Sequence, residues 1–334
     1  MKHSMNNGAA NDNLNNEGGR IIMTNGTIKT MEDFAGTLKS VMEVVYSDGY
    51  CINVEPVTKN NGTHFTRLAF YKEGTNISPA VYLDEFFEQY QNGMTMEEVC
   101  RNVKDIYEHY KTEQDFDATR LANFNQIKDL ICFKLVNAEK NRTMLADIPY
   151  IPYHDLAIIF YVVIGKNESG MATMIIRNSN MKIWGTDTPI MYSLAIKNTQ
   201  RIFKGNIQPM GNVIAEIMER AMDVEDSNEF YDMTVDTEDM VSMYIATNYE
   251  RLNGASVLLY PNLLKDFAEL IGSDFYILPS SVHELIFLPE AESMGVEYLK
   301  MMVEEINDSE VEDEEVLSDN IYFYSRAYDR VEMM

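Results

Sequence analysis

Residues 275–288 read Phe275-Tyr-Ile-Leu-Pro-Ser-Ser-Val-His-Glu-Leu-Ile-Phe-Leu288, two apolar runs on either side of a Pro-Ser-Ser break. Short runs rich in aromatic and branched side chains, bounded by turn residues, are the mark of strands, and a break this short folds the second strand back beside the first. The spacing therefore predicts an antiparallel pair, 275–278 with 282–288. The surrounding sequence follows the same rule with helices interleaved. Pro261 opens a helix to Ile271 with Leu263, Leu264, Phe267 and Leu270 inward. Before it, 242–247 and 255–260 read as strands joined by a turn at Leu252-Asn253-Gly254. After it come a helix over 292–306, carrying Met294, Val296, Leu299 and Val303, and a last strand over 320–325.

Further upstream, 155–164 and 171–176 are strand-like around a turn. A helix follows at 178–184, and Asp187-Thr188-Pro189 starts another. Near the beginning Thr30 with Asp33, and Thr95 with Glu98, have capping spacing before helical apolar faces (Phe34, Leu38, Val41, Met42; Val99, Val103, Ile106). Strands over 51–57 and 65–71 lie between them. Strand pairs on short turns with helices between them make an α+β fold, with antiparallel or mixed sheets, helices packed on one face, and two lobes. Pro149 and Pro152 favour an extended connection. The expected organisation is an Asn-rich disordered tail over 1–28, an N-terminal lobe over 29–148 and a C-terminal lobe over 149–334.

The charge is uneven. The chain carries 27 Lys and Arg against 53 Asp and Glu, a net −26. Residues 215–240 hold ten acids against Arg220, and residues from 290 onward hold fourteen acids against three bases. The acidic segments are thus 215–240 and 304–319, and within the second the run Glu312 to Glu315 reads as a solvated linker before the last strand. Such a charge repels phosphates, so direct nucleic-acid binding is not expected, and a basic protein partner suits it. No apolar run reaches the length of a membrane span. Three cysteines without paired spacing suit a reducing compartment, hence the cytoplasm.

Four stretches carry a family likeness: Val81-Tyr-Leu-Asp-Glu-Phe-Phe87, Ile151-Pro-Tyr-His-Asp-Leu-Ala157, Asn253-Gly-Ala-Ser-Val-Leu-Leu-Tyr-Pro261 and Phe275-Tyr-Ile-Leu-Pro-Ser-Ser-Val-His-Glu284. With these, residues 31–326 resemble the bacterial family domain of unknown function 5688 and, more distantly, domain of unknown function 1444. The resemblance implies a cytoplasmic bacterial protein. It implies no activity, cofactor or catalytic residue.

The residues themselves offer few places for chemistry. Phosphate loops, nucleophile elbows and zinc or calcium motifs are absent from the sequence, so neither a cofactor nor a metal is expected. Ser280, Ser281, His283 and Glu284 supply the residue types of a hydrolytic triad. The simpler reading is a hairpin turn whose hydroxyls satisfy backbone groups. His154 and Asp155 stand at the mouth of the most apolar strand, where a scaffold can fix catalytic groups, or where they serve as turn residues. Trp184, Tyr249, Asn253 and Asn262, with Tyr260, are candidates to line a polar pocket, although Asn253-Gly254 and Pro261-Asn262 are also explained as a turn and a helix start. The expected function is accordingly a non-catalytic interaction or accessory protein. The alternative is a small-molecule hydrolase or transferase built from His154, Asp155 and the 280–284 hairpin.

Overall fold

The structure, a computed structural model, describes residues 14–17, 20–23, 28–73, 80–111, 119–167, 170–222, 243–279 and 281–334. Most of the Asn-rich stretch and residues 223–240 of the first acidic segment lie outside these residues, whereas a two-stranded antiparallel ribbon (14–17 with 20–23) and the helical residues before 223 lie within them. Ser280 lies outside them as well. The chain divides into two compact units, 1–58 with 64–118, and 59–63 with 119–334.

In the first unit α1 (Met31–Val45) begins at Thr30, whose hydroxyl accepts from the Asp33 N–H, as its spacing requires. Strands β1 (Tyr50–Thr58), β2 (His64–Lys72) and β3 (Ala80–Tyr82) form an antiparallel sheet. Helix α2 (Asp84–Gln91) and the longer α3 (Met96–Tyr110), closed by a full capping box between Thr95 and Glu98, follow. Alternation puts Ile52, Leu68, Phe70 and Val81 on one face, where Phe34, Leu38, Val99 and Val103 of the helices bury them. Glu55, Arg67 and Tyr71 stand on the other face, with the Arg67 guanidinium and the Tyr71 hydroxyl holding the Glu55 carboxyl below the usual carboxylate range.

The second unit holds two antiparallel sheets. Strand β4 (Ile131–Asn137) pairs along one edge of β6 (Leu156–Asn167), and β5 (Tyr150–Tyr153) and β7 (Gly170–Ile175) pair in succession along its other edge. Residues 150–153 are therefore a strand inside this unit, and the division between units falls at 118/119. Helices α4 (Asn178–Trp184) and α5 (Thr188–Ile202) follow, the latter with Asp187 as cap and Pro189 in its first turn.

The six-stranded sheet has the order β8-β9-β11-β10-β12-β13, formed by β8 (Gly205–Pro209), β9 (Tyr244–Asn248), β10 (Phe275–Leu278), β11 (Leu285–Pro289), β12 (Tyr322–Ser325) and β13 (Arg330–Met333). Helix α6 (Met210–Met222) follows β8, α7 (Leu263–Ile271) precedes β10, and α8 (Val296–Ser309) precedes β12. All pairings are antiparallel. Helices lie on both faces of this sheet. Phe267 of α7 packs on Phe275 and Phe287, whereas Leu299 and Val303 of α8 pack on Leu278 and Leu288.

Residues 255–260 depart from the expected strand. Gly254–Leu259 is a 3-10 helix, almost wholly buried and entered through Asn253 at φ 50°. A short buried apolar run has no exposed face to betray its period, so periodicity alone cannot separate strand from helix. Gly254 itself is dictated by close approach, since a Cβ there would lie 2.1 Å from Thr247 Oγ1 and 2.2 Å from the His283 carbonyl oxygen. Leu270 and Met294, expected inward, are 81% and 65% exposed.

Candidate functional site

The 281–284 segment is a turn, not the start of a strand. The Ser281 hydroxyl accepts from the His283 main-chain N–H at 3.0 Å, and the Ser281 N–H donates to the Glu284 carbonyl at 3.3 Å. The His283 ring looks elsewhere. Its Nδ1 accepts from the Asn253 N–H at 3.2 Å, which places the ring proton on Nε2, 3.4 Å from Glu315 Oε1. An imidazole oriented by a carboxylate is therefore present, but the carboxylate is Glu315 rather than Glu284, and the Ser281 hydroxyl engages the main chain rather than the ring.

Asp155 anchors a second polar network. Its carboxylate accepts from Ser318 Oγ at 2.5 Å, Asn320 Nδ2 at 3.1 Å and the Tyr322 hydroxyl at 2.6 Å. Burial, together with the Asp155 charge and hydrogen bond, pushes the Tyr322 hydroxyl well above its ordinary pKa, so it remains a donor. His154 is exposed at φ 53°, in the two-residue link between β5 and β6, with its ring against Tyr153 and Tyr322. His154 is a turn residue and Asp155 a clasp between that turn and β12.

Both networks meet the segment after α8, which is no solvated linker. Val316, Leu317 and Ser318 are buried. Asn60 and Asn61 donate to the carbonyls of Glu314, Asp313 and Val316 at 2.7–2.8 Å, Asn137 donates to that of Leu317 at 3.1 Å, and Asn307 to that of Ser318 at 3.0 Å. Side-chain amides take the place of a β-ladder here, satisfying backbone groups that the buried Val-Leu pair draws out of water.

Of the pocket candidates, Trp184 is core, donating its indole N–H to the Leu121 carbonyl at 2.7 Å. Tyr249 is 70% exposed, and Asn253 serves the turn. Tyr260 and Asn262 do line clefts. One cleft, about 540 Å³, runs along β8 and α7: alternate residues Gly205, Ile207 and Pro209 form one wall, and Leu263, Phe267 and Leu270 the other. Asp266 is the one charged residue lining it among the described residues. The second, about 350 Å³, lies on the other side of Tyr260, where Tyr153 and Leu264 meet Asn262, Lys265, Tyr324 and Arg330. None of His154, Asp155, Ser281, His283 and Trp184 lines either cleft.

No local signal marks these clefts, because their walls come from strands and helices far apart in the chain. Glu315 alone had a cue, standing in the acidic run 312–315. Among the described residues no three His, Cys, Asp or Glu side chains group as a metal site would need, and no helix is long and apolar enough to cross a membrane. The three cysteines are free thiols, with burial pushing Cys132 up to about 12 and Cys100 up to about 11.

No curated protein and no solved structure matches the chain. Residues 31–326 match the family of unknown function DUF5688, from the first capped helix to the residue after β12. The match spans most of the chain, and the protein belongs to that family.

Proposed function

We propose that this chain is a non-catalytic cytoplasmic binding protein, and that the cleft between β8 and α7 receives an apolar segment of a basic partner. The observation that carries the reading is the open edge of the six-stranded sheet. Among the described residues β8 pairs with β9 alone, so on its outer edge they leave main-chain groups for another strand, beside an apolar wall. Leu270, 81% exposed on the rim, is a large apolar side chain in water that a partner seated in the cleft would cover. The net charge of −26 draws a basic partner, and Asp266 offers it a counter-charge within the cleft.

Leu270→Asp tests this, because so exposed a residue can change without disturbing the fold. Native lysate at low salt is expected to yield a stoichiometric basic partner on the wild-type chain. The variant should lose that partner while its unfolding midpoint stays the same. No stoichiometric partner, or equal recovery by the variant, overturns the reading.

A further inference from the structure

The second cleft differs in character from the rest of the molecule. The chain has about two acids for every base (53 against 27), yet among the described residues the charged ones lining this cleft are Lys265, Arg330 and the single acid Asp329. Asp329 is already engaged, accepting the Tyr324 hydroxyl at 2.6 Å. Arg330 is ion-paired with Glu332, donating Nε at 2.6 Å and meeting the same carboxylate through Nη2, and it stacks over the Tyr328 ring at 5.0 Å, which fixes the plane of its guanidinium and leaves its remaining N–H groups to a ligand. Lys265 makes no ion pair or hydrogen bond among the described residues, and the Asn262 amide, at the start of α7, does not cap the helix. Tyr153 and Leu264 supply apolar wall beneath these groups. Burial pushes the Tyr153 hydroxyl up to about 12, so it stays protonated and can donate.

We propose that this cleft is a binding site for a small organic acid with a flat apolar body, its carboxylate held by Lys265 and Arg330 and its ring set against Tyr153 and Leu264. A cleft of about 350 Å³ is at the lower end of the range for small-molecule sites and suits a single-ring ligand. The negative charge of the molecule as a whole opposes an anion only weakly here. Charges beyond a screening length of roughly 8 Å are largely masked at physiological salt, while the Lys265 ammonium, with no ion pair among the described residues, is at the site and Arg330 adds N–H donors beside it. This inference is independent of the β8 cleft.

The test uses the full chain labelled with 3-fluorotyrosine, with benzoate as the probe and benzyl alcohol and benzylamine as its neutral and cationic counterparts. Tyr153→Phe and Tyr324→Phe assign the two fluorine resonances. Benzoate is expected to shift both saturably, with a Kd on the order of 1 mM for so small a ligand. Lys265→Gln and Arg330→Gln should each weaken binding about tenfold, the effect of losing one charge-assisted hydrogen bond, without moving the unfolding midpoint. Equal shifts from either counterpart, unchanged affinity in the double variant, or no saturable shift in wild type at roughly tenfold above that Kd would each overturn the proposal.

Discussion

Two clefts share Tyr260 and the start of α7, yet one is an apolar trough along an open strand and the other a polar cup with an excess of positive charge. The difference follows from which elements supply the far wall. Beside β8 the wall comes from alternate residues of a strand whose inner face belongs to the core, so Ile207 and its neighbours are apolar by necessity. Opposite Tyr153 the wall comes from β12, the turn after it, and β13, and Asp329 in the turn and Arg330 at the start of β13 carry charge because they reach water. A single helix thus separates a surface suited to a protein segment from one suited to a small acid.

The sharpest way to break the comparison is to remove the element common to both sides. Gly254→Ala puts a methyl group into Thr247 and the His283 carbonyl and displaces the 3-10 helix that leads into Tyr260. The expected loss is about 3 kcal/mol or more in denaturant unfolding, and the benzoate shifts and the partner should go together. An alanine variant as stable as wild type would mean that the segment does not hold Tyr260 in place.

Asp155→Ala should separate the clefts. It leaves Ser318, Asn320 and Tyr322 without their acceptor, and so loosens β12, a wall of the acid-binding cleft only. A loss of about 2–3 kcal/mol is expected, because the Tyr322 hydroxyl is buried and little water can replace the carboxylate. Asp155→Asn, which keeps an acceptor, should lose less. Partner capture should survive in both variants where benzoate binding falls.

The smallest effect is a titration. Tyr153, with its pKa raised by burial to about 12 against an unfolded value near 10.0, binds its proton more tightly in the folded chain. Its contribution to stability is therefore complete below pH 10 and disappears as pH rises from about 10 to 12. Tyr153→Phe should flatten the fall in stability over that window, measured by denaturant unfolding at stepped pH. An unchanged slope would mean that the Tyr153 ring is more open to water than the cleft geometry requires.

Much of the fold was legible in local chemistry. Thr30, Thr95 and Asp187 marked helix starts, and the runs around Pro279 and Gly165 marked antiparallel strands, because caps and turns are satisfied by residues a few positions away. The conformation of 254–259 was not legible, since a segment buried on every side shows no periodicity. The site was legible only in fragments. Asp155 and His283 stood out as polar residues among apolar runs, but their partners Tyr322 and Glu315 lie 167 and 32 positions away, and no spacing rule reaches that far.

By itself the sequence determined the α+β class, the antiparallel pairs around Pro279 and Gly165, the capped helix starts at Thr30, Thr95 and Asp187, the acidic balance and the family. These rest on interactions between near neighbours or on sums over composition. Tertiary structure alone decided that His283 faces Glu315 and not Ser281, that the acidic run after α8 is pinned by asparagine amides, and that Lys265 and Arg330 border one cleft. Side-chain function depends on what lies across a few ångströms of space, and that neighbour is chosen by the packing of whole sheets.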